Sequence, residues 1–150
     1  MNYWVLKSEP TAYSIDDLKR DKRTAWEGVR NYQARNFMKD MAVGDLVLFY
    51  HSSTEPVGVA GVAKVASLAH PDESQFNKRD HHFDPKATAE KPIWHCVDVS
   101  FVHKFKEPIP LGAIKADPNL RGILLAAQGS RLSVQPLAEK HFKYIVDELA

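Results

Sequence analysis

Polar and aromatic side chains are concentrated at four places along the chain, where predicted strands run into loops. In residues 7–10 an apolar strand meets a lysine, a serine and a glutamate. Residues 26–36 hold a tryptophan, a glycine, two arginines and three amide side chains. Residues 50–52 combine tyrosine, histidine and serine, and residues 131–133 add an arginine and a serine. Binding residues are common at such loop-facing positions, so these segments form the candidate site.

Together these side chains suit the recognition of a planar heterocycle. An aromatic side chain stacks on the face of a nucleobase, a contact worth about 1 to 3 kcal/mol per base. Amides and hydroxyls read the Watson–Crick edge of a base that has left its stack. Arginine and lysine at the rim hold the flanking phosphates, and this part of the affinity falls as salt rises. The residue types therefore predict a cleft that binds a base of a nucleic acid.

An enzyme is an alternative interpretation, although the common catalytic signatures are absent. The chain has no GxGxxG, P-loop or GxSxG sequence, so dinucleotide binding, Walker-type phosphate binding and an α/β-hydrolase elbow are not indicated. His51 is not expected to activate Ser52, because neighbours on a strand point to opposite faces. A hydrolase or transferase acting on a nucleotide-like molecule would need His51 or Glu9 in another arrangement. No catalytic residue is predicted.

Metal and cofactor sites are not predicted either. The seven histidines lack the paired spacing of zinc sites, since His81 and His82 are adjacent while His95 and Cys96 lie on opposite faces of a predicted strand. Cys96 is the single cysteine and can form no internal disulfide. A lone apolar thiol is typical of a reducing compartment, so a cytoplasmic location is expected. No window approaches the roughly 20 apolar residues of a membrane span, so no membrane association is expected.

The overall charge limits how a polyanion can be held. Twenty basic and nineteen acidic side chains leave a net charge of +1. The net charge therefore attracts a polyanion only weakly, and binding must depend on local basic patches. Residues 19–40 carry seven basic side chains against three acidic ones and form the basic end of the sequence.

The spacing of apolar residues predicts a single domain, residues 1–150, with an α+β fold around a small bent sheet. A polar, proline-punctuated stretch at residues 70–92 is predicted to be a functional loop. A protein-interaction module that uses this loop is a third interpretation. Small residues in the second strand of a predicted hairpin indicate strong coiling or a bulge. The predicted strands are 3–7, 46–51, 57–65, 93–102 and 131–134, and the predicted helices are 14–20, 31–41 and a last one that begins at Pro136.

Five blocks of the sequence, in this order and spacing, resemble an EVE domain. They are residues 7–10, 26–36, 44–52, 58–61 and 131–134. The resemblance implies a PUA-like fold, a bent mixed β-barrel flanked by helices, related to the YTH domains that hold methylated adenine. It implies no catalysis and no cofactor. It implies binding to nucleic acid, DNA or RNA, with a modified base as the recognised group.

The resemblance also implies roles for individual residues. Trp26 is expected to supply an aromatic wall, and Ser8 and Asn31 to contact the base edge. The cleft is expected to be completed by Tyr50, His51 and Ser52. From their charge alone, four residues are expected to make phosphate or rim contacts: Lys7, Arg30, Arg35 and Arg131.

Overall fold

The computed structural model describes residues 1–127 and 131–150. The strands are β1 (Tyr3–Ser8), β2 (Arg23–Ala25), β3 (Leu46–His51), β4 (Gly58–Val65), β5 (His70–Pro71), β6 (His95–Cys96), β7 (Asp98–Pro110) and β8 (Val134–Leu137). The α-helices are α1 (Ile15–Asp21), α2 (Tyr32–Asp40), α3 (Leu111–Ala116) and α4 (Glu139–Tyr144). Short 3₁₀-helices lie at Glu73–Phe76, Pro118–Leu120 and Leu124–Ala126, and a π-helix at Ile145–Leu149 follows α4.

Six strands form one mixed sheet in the order β2-β7-β4-β3-β1-β8. Strands β1 and β3 run parallel, and the other neighbours are antiparallel. Strands β5 and β6 make a separate pair. The register shifts once between β3 and β4 and twice between β4 and β7, which bends the sheet into a half-barrel. The predicted α+β fold with a bent mixed sheet flanked by helices is confirmed.

Glycines allow β4 and β7 to approach each other closely. A Cβ atom on Gly58 would overlap the carbonyl oxygen of Ile109, and one on Gly61 would overlap that of His103. No other residue type fits there without moving β7. The coiling expected from the small residues of this strand is therefore present, and its physical cause is the backbone contact with β7.

The two faces of the sheet support two separate cores, because alternate residues of a strand point to opposite sides. Leu6 of β1 and Phe49 of β3 pack with α1 and α2 on one face. Val5 and Leu48, their chain neighbours, pack with α3 and α4 on the other. The first face is the one that carries Trp26.

Several elements differ from the predictions, and the last strand, predicted at 131–134, is β8 at Val134–Leu137. Pro136 lies within β8, and the last helix begins at Glu139. Among the described residues, β8 pairs only with β1, so it is an edge strand with one unpaired side. Proline has no N–H to donate, but no donor is needed on the unpaired side, so Pro136 is tolerated there. The strand predicted at 93–102 is interrupted at Val97 and continues to Pro110. Strand β2 was not predicted, because three residues carry too little periodicity.

Two predicted helix starts are confirmed by their capping interactions. The Ser14 side chain accepts a hydrogen bond from the Asp17 backbone, and the Asp17 side chain accepts one from the Ser14 backbone. Asn31 caps α2 by accepting from the Ala34 N–H at 2.9 Å. Among the described residues, no helix is long and apolar enough to cross a bilayer.

Candidate nucleic-acid interface

A cleft of about 550 Å³ opens between the two edges of the curled sheet. Strand β2, at one edge, contributes Thr24 and Ala25, and residues 7–9 at the end of β1 contribute the opposite wall together with Ser133, which precedes the other edge strand, β8. The connection from β2 to α2 forms the floor. The lining residues are Lys7, Ser8, Glu9, Ala12, Tyr13, Thr24, Ala25, Trp26, Glu27, Gly28, Val29, Arg30, His81, His82 and Ser133.

The indole of Trp26 forms the aromatic wall of this cleft. Its backbone N–H donates to the Val97 carbonyl at 2.9 Å, which extends the β2–β7 pairing by one residue. Phe49 and Tyr13 meet the indole edge to face, at centroid distances of 5.3 and 6.2 Å and interplanar angles of 88° and 90°. The side chain is only 8% exposed. The neighbouring rings therefore fix the indole, and none of the described rings lies parallel to it.

The Trp26 indole N–H donates to none of the residues that the structure describes. The Nε1 atoms of Trp4 and Trp94 donate to the carboxylates of Asp45 and Asp84. Within residues 1–127 and 131–150, the Trp26 Nε1 has no such acceptor, and it is not one of the buried polar atoms left without a partner. It is therefore accessible to solvent, and a ligand acceptor placed beside it would receive a hydrogen bond.

Ser8, at the end of β1, and Tyr13, in the turn before α1, also line the cleft. The Ser8 hydroxyl donates to the Tyr13 carbonyl at 2.6 Å, which leaves its oxygen as an acceptor for a ligand. The Tyr13 hydroxyl donates to Asp21 at 2.9 Å. Burial, with help from the Asp21 hydrogen bond, raises the pKa of Tyr13 to about 12, so its ring stays neutral.

Glu27 places a carboxyl group in the cleft beside Trp26. Its Oε2 accepts a hydrogen bond from the Glu73 backbone at 3.1 Å. Burial and the nearby charge of Asp72 raise the pKa of Glu27. The backbone N–H of Ser74 also interacts with this carboxyl group. A carboxylate has about four acceptor positions, so the exposed Glu27 group can accept a further hydrogen bond from a ligand.

A buried ion pair fixes the floor of the cleft to the segment that follows β5. The Arg30 guanidinium pairs with Asp72 at 3.0 Å and donates to the Ser74 hydroxyl and the His82 carbonyl. The Gly28 N–H also donates to Asp72, at 2.8 Å. Burial opposes the charge on Asp72, but these partners outweigh it and lower the pKa of the carboxyl group. The loop predicted at 70–92 is thus held against the cleft.

Two histidines of the same loop stand at the cleft rim. Ligand atoms of Asp80, His81 and His82 lie within 4.8 Å of one another. Asp80 Oδ1 already accepts from the His82 N–H at 2.8 Å and lies 3.1 Å from His82 Nδ1. The contacts with His82 therefore account for the position of the Asp80 carboxylate without a bound cation.

Comparison with known proteins identifies the family. A sequence model of the EVE domain matches residues 2–148. The chain belongs to the EVE domain family. The mouse thymocyte nuclear protein 1 is 41% identical over 164 residues, which cover 97% of this chain and 72% of the mouse protein.

Solved structures of similar proteins share the fold of this EVE domain. A hypothetical protein from Leishmania major is 49% identical, with a TM-score of 0.94, and the match covers 97% of this chain and 92% of that one. Human THYN1 is 38% identical, with a TM-score of 0.91 and coverages of 97% and 96%, and its structure was solved in complex with DNA containing 5-methylcytosine. The PUA-like fold expected from the resemblance is confirmed by these structures.

The structure of the EVE domain brings four of the ten predicted site residues into the cleft. These four are Lys7, Ser8, Trp26 and Arg30. The Arg30 guanidinium is already bonded to Asp72, Ser74 and the His82 carbonyl, so it acts as a positioning residue for the cleft floor. The Lys7 ammonium lies 5.6 Å from the ring centroid of Tyr50, and burial lowers its pKa.

The remaining predicted residues lie outside the cleft lining. Asn31 is exposed and caps α2. Tyr50 is buried in the core on the other face of the sheet. His51 lies on the Trp26 face, and its Nε2 accepts from the Ile15 N–H at 3.1 Å. Burial lowers the pKa of His51. Ser52 is half-buried, with its N–H bonded to the Ser8 carbonyl, Arg35 is half-buried on α2 and Arg131 is exposed.

Of the cleft residues that were not predicted, Glu27 and Tyr13 contribute most to the site described here. Glu27 lies in the matched segment 26–36, so its neighbour Trp26 was a usable signal. Tyr13 belongs to the turn before α1, and nothing local shows that this turn folds over the end of β1. The contact is seen only in the folded chain, where the Ser8 hydroxyl donates to the Tyr13 carbonyl and the Ala12 and Tyr13 N–H groups donate to the Glu9 carbonyl.

Proposed function

We propose that this EVE domain is a non-enzymatic nucleic-acid-binding domain whose cleft receives one unpaired, modified nucleobase. The observation that carries the proposal is the cleft between the sheet edges, with the fixed indole of Trp26 and its accessible N–H on one wall. The volume of about 550 Å³ lies within the usual range for small-ligand sites. The complex of human THYN1 with DNA containing 5-methylcytosine supports the same ligand class.

The polar groups around the indole favour a base that carries an amino group. Trp26 Nε1 is a donor and suits a ring nitrogen or carbonyl oxygen. The Glu27 carboxylate is an acceptor and suits an exocyclic amine, such as the N4 amine of cytosine. Thymine presents an oxygen at that position, and two oxygens facing each other repel. A 5-methylcytosine base therefore satisfies both groups, whereas thymine satisfies one.

The enzyme alternative loses support from the position of its candidate residues. His51 does not line the cleft, and its Nε2 already accepts a backbone hydrogen bond from Ile15. Glu9 lines the cleft, but no described histidine, serine or cysteine pairs with it as a triad requires. Incubation with modified nucleosides followed by mass spectrometry checks this point, and any product would contradict the proposal.

Further parts of the proposal concern the number of domains, the location in the cell and the kind of nucleic acid. We infer one domain for residues 1–150, because both cores share the same sheet. We also infer a cytoplasmic setting, since Cys96 is a buried free thiol and fits a reducing compartment. RNA is included as a ligand because the cleft contacts proposed here involve the base and not the sugar.

The test is a titration with 5-methyl-2′-deoxycytidine, 2′-deoxycytidine, thymidine and matched DNA and RNA oligonucleotides. Binding is followed by calorimetry and tryptophan fluorescence. We expect the fluorescence response to disappear in Trp26→Phe and to persist in Trp4→Phe, because Trp4 lies in the core away from the cleft. Phenylalanine keeps most of the buried volume, so the variant stays folded. Equal affinity for every base, or no binding at all, would overturn the proposal.

A further inference from the structure

A second aromatic surface lies next to the cleft, at the start of α2. The Tyr32 ring is 60% exposed and stacks on Trp94 at a centroid distance of 4.9 Å and an angle of 25°. Trp94 is buried and held by two hydrogen bonds, from its Nε1 to Asp84 and from its backbone N–H to Gln75. Tyr32 therefore rests on a rigid support while its own ring faces solvent.

The Tyr32 ring remains accessible although a cation lies against it. The Arg35 guanidinium carbon lies over the ring, 4.9 Å from the Tyr32 centroid and 6.0 Å from the Trp94 centroid. The distance to Trp94 is well below the sum of the 4.9 Å ring spacing and the 4.9 Å cation distance, so Arg35 is not centred opposite Trp94. With 60% of the residue exposed, the ring can still receive a stacking partner.

Arg35 also keeps its positive charge available. Its Nη1 donates to the Ile93 carbonyl at 2.9 Å, and its Nε and Nη2 donate to Asn36. These partners are neutral, and within residues 1–127 and 131–150 no carboxylate pairs with Arg35. Arg30 differs, because Asp72 neutralises it. An oriented, unneutralised guanidinium beside an open ring is the combination that binds a nucleotide, with the base on the ring and the phosphate on the cation.

The surface is continuous with the cleft. Arg30 lines the cleft, and its guanidinium carbon lies 5.3 Å from the Trp94 ring that supports Tyr32. Along the chain, Tyr32 follows the cleft segment after a single intervening residue, Asn31. A strand whose base enters the cleft can therefore reach Tyr32 with an adjacent nucleotide.

We propose that Tyr32 and Arg35 form a second nucleotide subsite, which stacks the base next to the one in the cleft and binds the phosphate between them. The subsite rests on the proposed function and deepens it. It fits single-stranded or locally unpaired nucleic acid, because a base inside a duplex already has stacking partners on both faces.

The test compares one nucleoside with one short strand. The probes are 5-methyl-2′-deoxycytidine and a five-nucleotide single-stranded DNA with this base at its centre. The wild type is expected to bind the strand more tightly than the nucleoside. Tyr32→Ala is expected to weaken strand binding about 5- to 150-fold, the loss that corresponds to one stacked base. Nucleoside binding is expected to stay within about twofold, since Tyr32 does not line the cleft.

Three variants control the interpretation. Gln33→Ala removes an exposed side chain from the same helix turn and is expected to match the wild type. Tyr32→Phe keeps the ring and is expected to retain strand binding. The logarithm of the association constant falls as the logarithm of the salt concentration rises. Arg35→Gln is expected to make this slope less steep by about 0.7, the value for one phosphate of a single strand. Thermal melting of each variant confirms that it is folded.

Each outcome separates the subsite from the cleft. If the wild type binds the strand no better than the nucleoside, or if Tyr32→Ala binds the strand like the wild type, the subsite is wrong and the cleft proposal stands. An equal loss for nucleoside and strand in Tyr32→Ala would also overturn it, because the residue would then act by holding the cleft. If the wild type binds neither probe, both proposals fail.

Discussion

Ligand selection at the scale of single residues depends on which polar atoms are already occupied. The hydroxyl hydrogen of Ser8 is bound to Tyr13, whereas the N–H of Trp26 has no partner among the described residues and the exposed Glu27 carboxylate keeps acceptor positions beyond its bond from Glu73. The Trp26 indole is buried, so its N–H without a partner is costly unless water or a ligand satisfies it. The difference in affinity between bases of similar shape should therefore depend on the Trp26 N–H and the Glu27 carboxylate.

Glu27→Gln is expected to remove the preference for cytosine-type bases. The wild-type carboxylate accepts from the N4 amine of 5-methylcytosine and repels the O4 of thymine, although the two bases have the same shape. Glutamine can instead donate to O4 while its oxygen still accepts from the Glu73 N–H. We expect the ratio of affinities for 5-methyl-2′-deoxycytidine and thymidine to fall about tenfold or more, since a hydrogen bond to a charged group is worth about 1.5 to 3 kcal/mol.

Calorimetric titration of both nucleosides measures this ratio. Glu73→Gln is the matched control, because it changes a nearby carboxylate that does not line the cleft. The Glu73 side chain contributes no cleft acceptor, so its variant should keep the wild-type ratio. An unchanged ratio in Glu27→Gln would show that the base edge lies elsewhere.

The same selectivity is expected to depend on pH. Burial raises the pKa of Glu27, so the carboxyl group takes up a proton at a higher pH than an exposed glutamate does. A protonated carboxyl loses acceptor strength and gains a donor. The preference for 5-methylcytosine over thymine should therefore be constant at neutral pH and fall as the pH drops through this raised pKa. Titrations at several pH values test this, and Glu27→Gln should give a flat profile.

Glycine at single positions of β4 sets how closely two strands approach. Gly58→Ala is expected to destabilise the domain by about 1 to 3 kcal/mol, because its Cβ would overlap the backbone of β7. Gly112→Ala is the control, because a Cβ there meets nothing within 4 Å and the residue lies in α3. Alanine in a helix is favoured over glycine by about 0.5 to 1 kcal/mol. Urea denaturation should therefore move the two variants in opposite directions.

At the scale of elements, an ion pair joins the connection before α2 to the loop after β5. Arg30→Ala is expected to destabilise the domain by about 2 to 3 kcal/mol, because it leaves the Asp72 carboxylate, which is 2% exposed, without its cation. Arg30→Lys should recover little, since lysine cannot reach Asp72, Ser74 and the His82 carbonyl together. Urea denaturation measures the loss.

The binding data for the same variant test whether Arg30 contacts phosphate. If Arg30 only positions the cleft floor, Arg30→Ala should lose affinity for the nucleoside and for an oligonucleotide by the same factor. The salt dependence of oligonucleotide binding should then stay unchanged. A reduced salt slope with unchanged stability would contradict this account and would place a phosphate on Arg30.

How far the sequence predicts the elements depends on whether their signals are local. The long strands, the hairpin and the two capped helices follow from alternation and from Ser14 and Asn31, whose caps involve residues three positions away. Pro136 misled the prediction, because a proline fits both the first turn of a helix and an edge strand. Only the position of β8 in the sheet decides between the two.

The candidate site was less predictable because its geometry is not local. Trp26, Ser8 and Lys7 were found from residue type and strand ends. Asn31 was chosen for its amide, but that amide caps α2. Strand periodicity assigns Tyr50 and His51 to opposite faces, yet it does not tell which face holds the cleft. That choice depends on how the sheet curls, which the register shifts between β3, β4 and β7 determine.

For the whole molecule, the near-neutral charge predicts a weak salt dependence. The net charge is +1, and acidic groups such as Glu9 and Glu27 stand in the cleft itself. We expect single-stranded binding to show a slope of log K against log salt of about −0.7 to −2, which corresponds to one to three phosphates. Titrations between low and physiological salt measure it. A much steeper slope would indicate a broad electrostatic footprint instead of base recognition.

The position of the cleft between two unpaired sheet edges has a mechanical consequence. Strand β2 ends one side of the sheet and β8 the other, and among the described residues no ladder joins them. Separating these two edges breaks no hydrogen bond of the six-stranded sheet, whereas separating any two paired strands would. Widening of the entrance is therefore resisted by side-chain packing around Trp26 and by the ion pair between Arg30 and Asp72, and not by strand pairing.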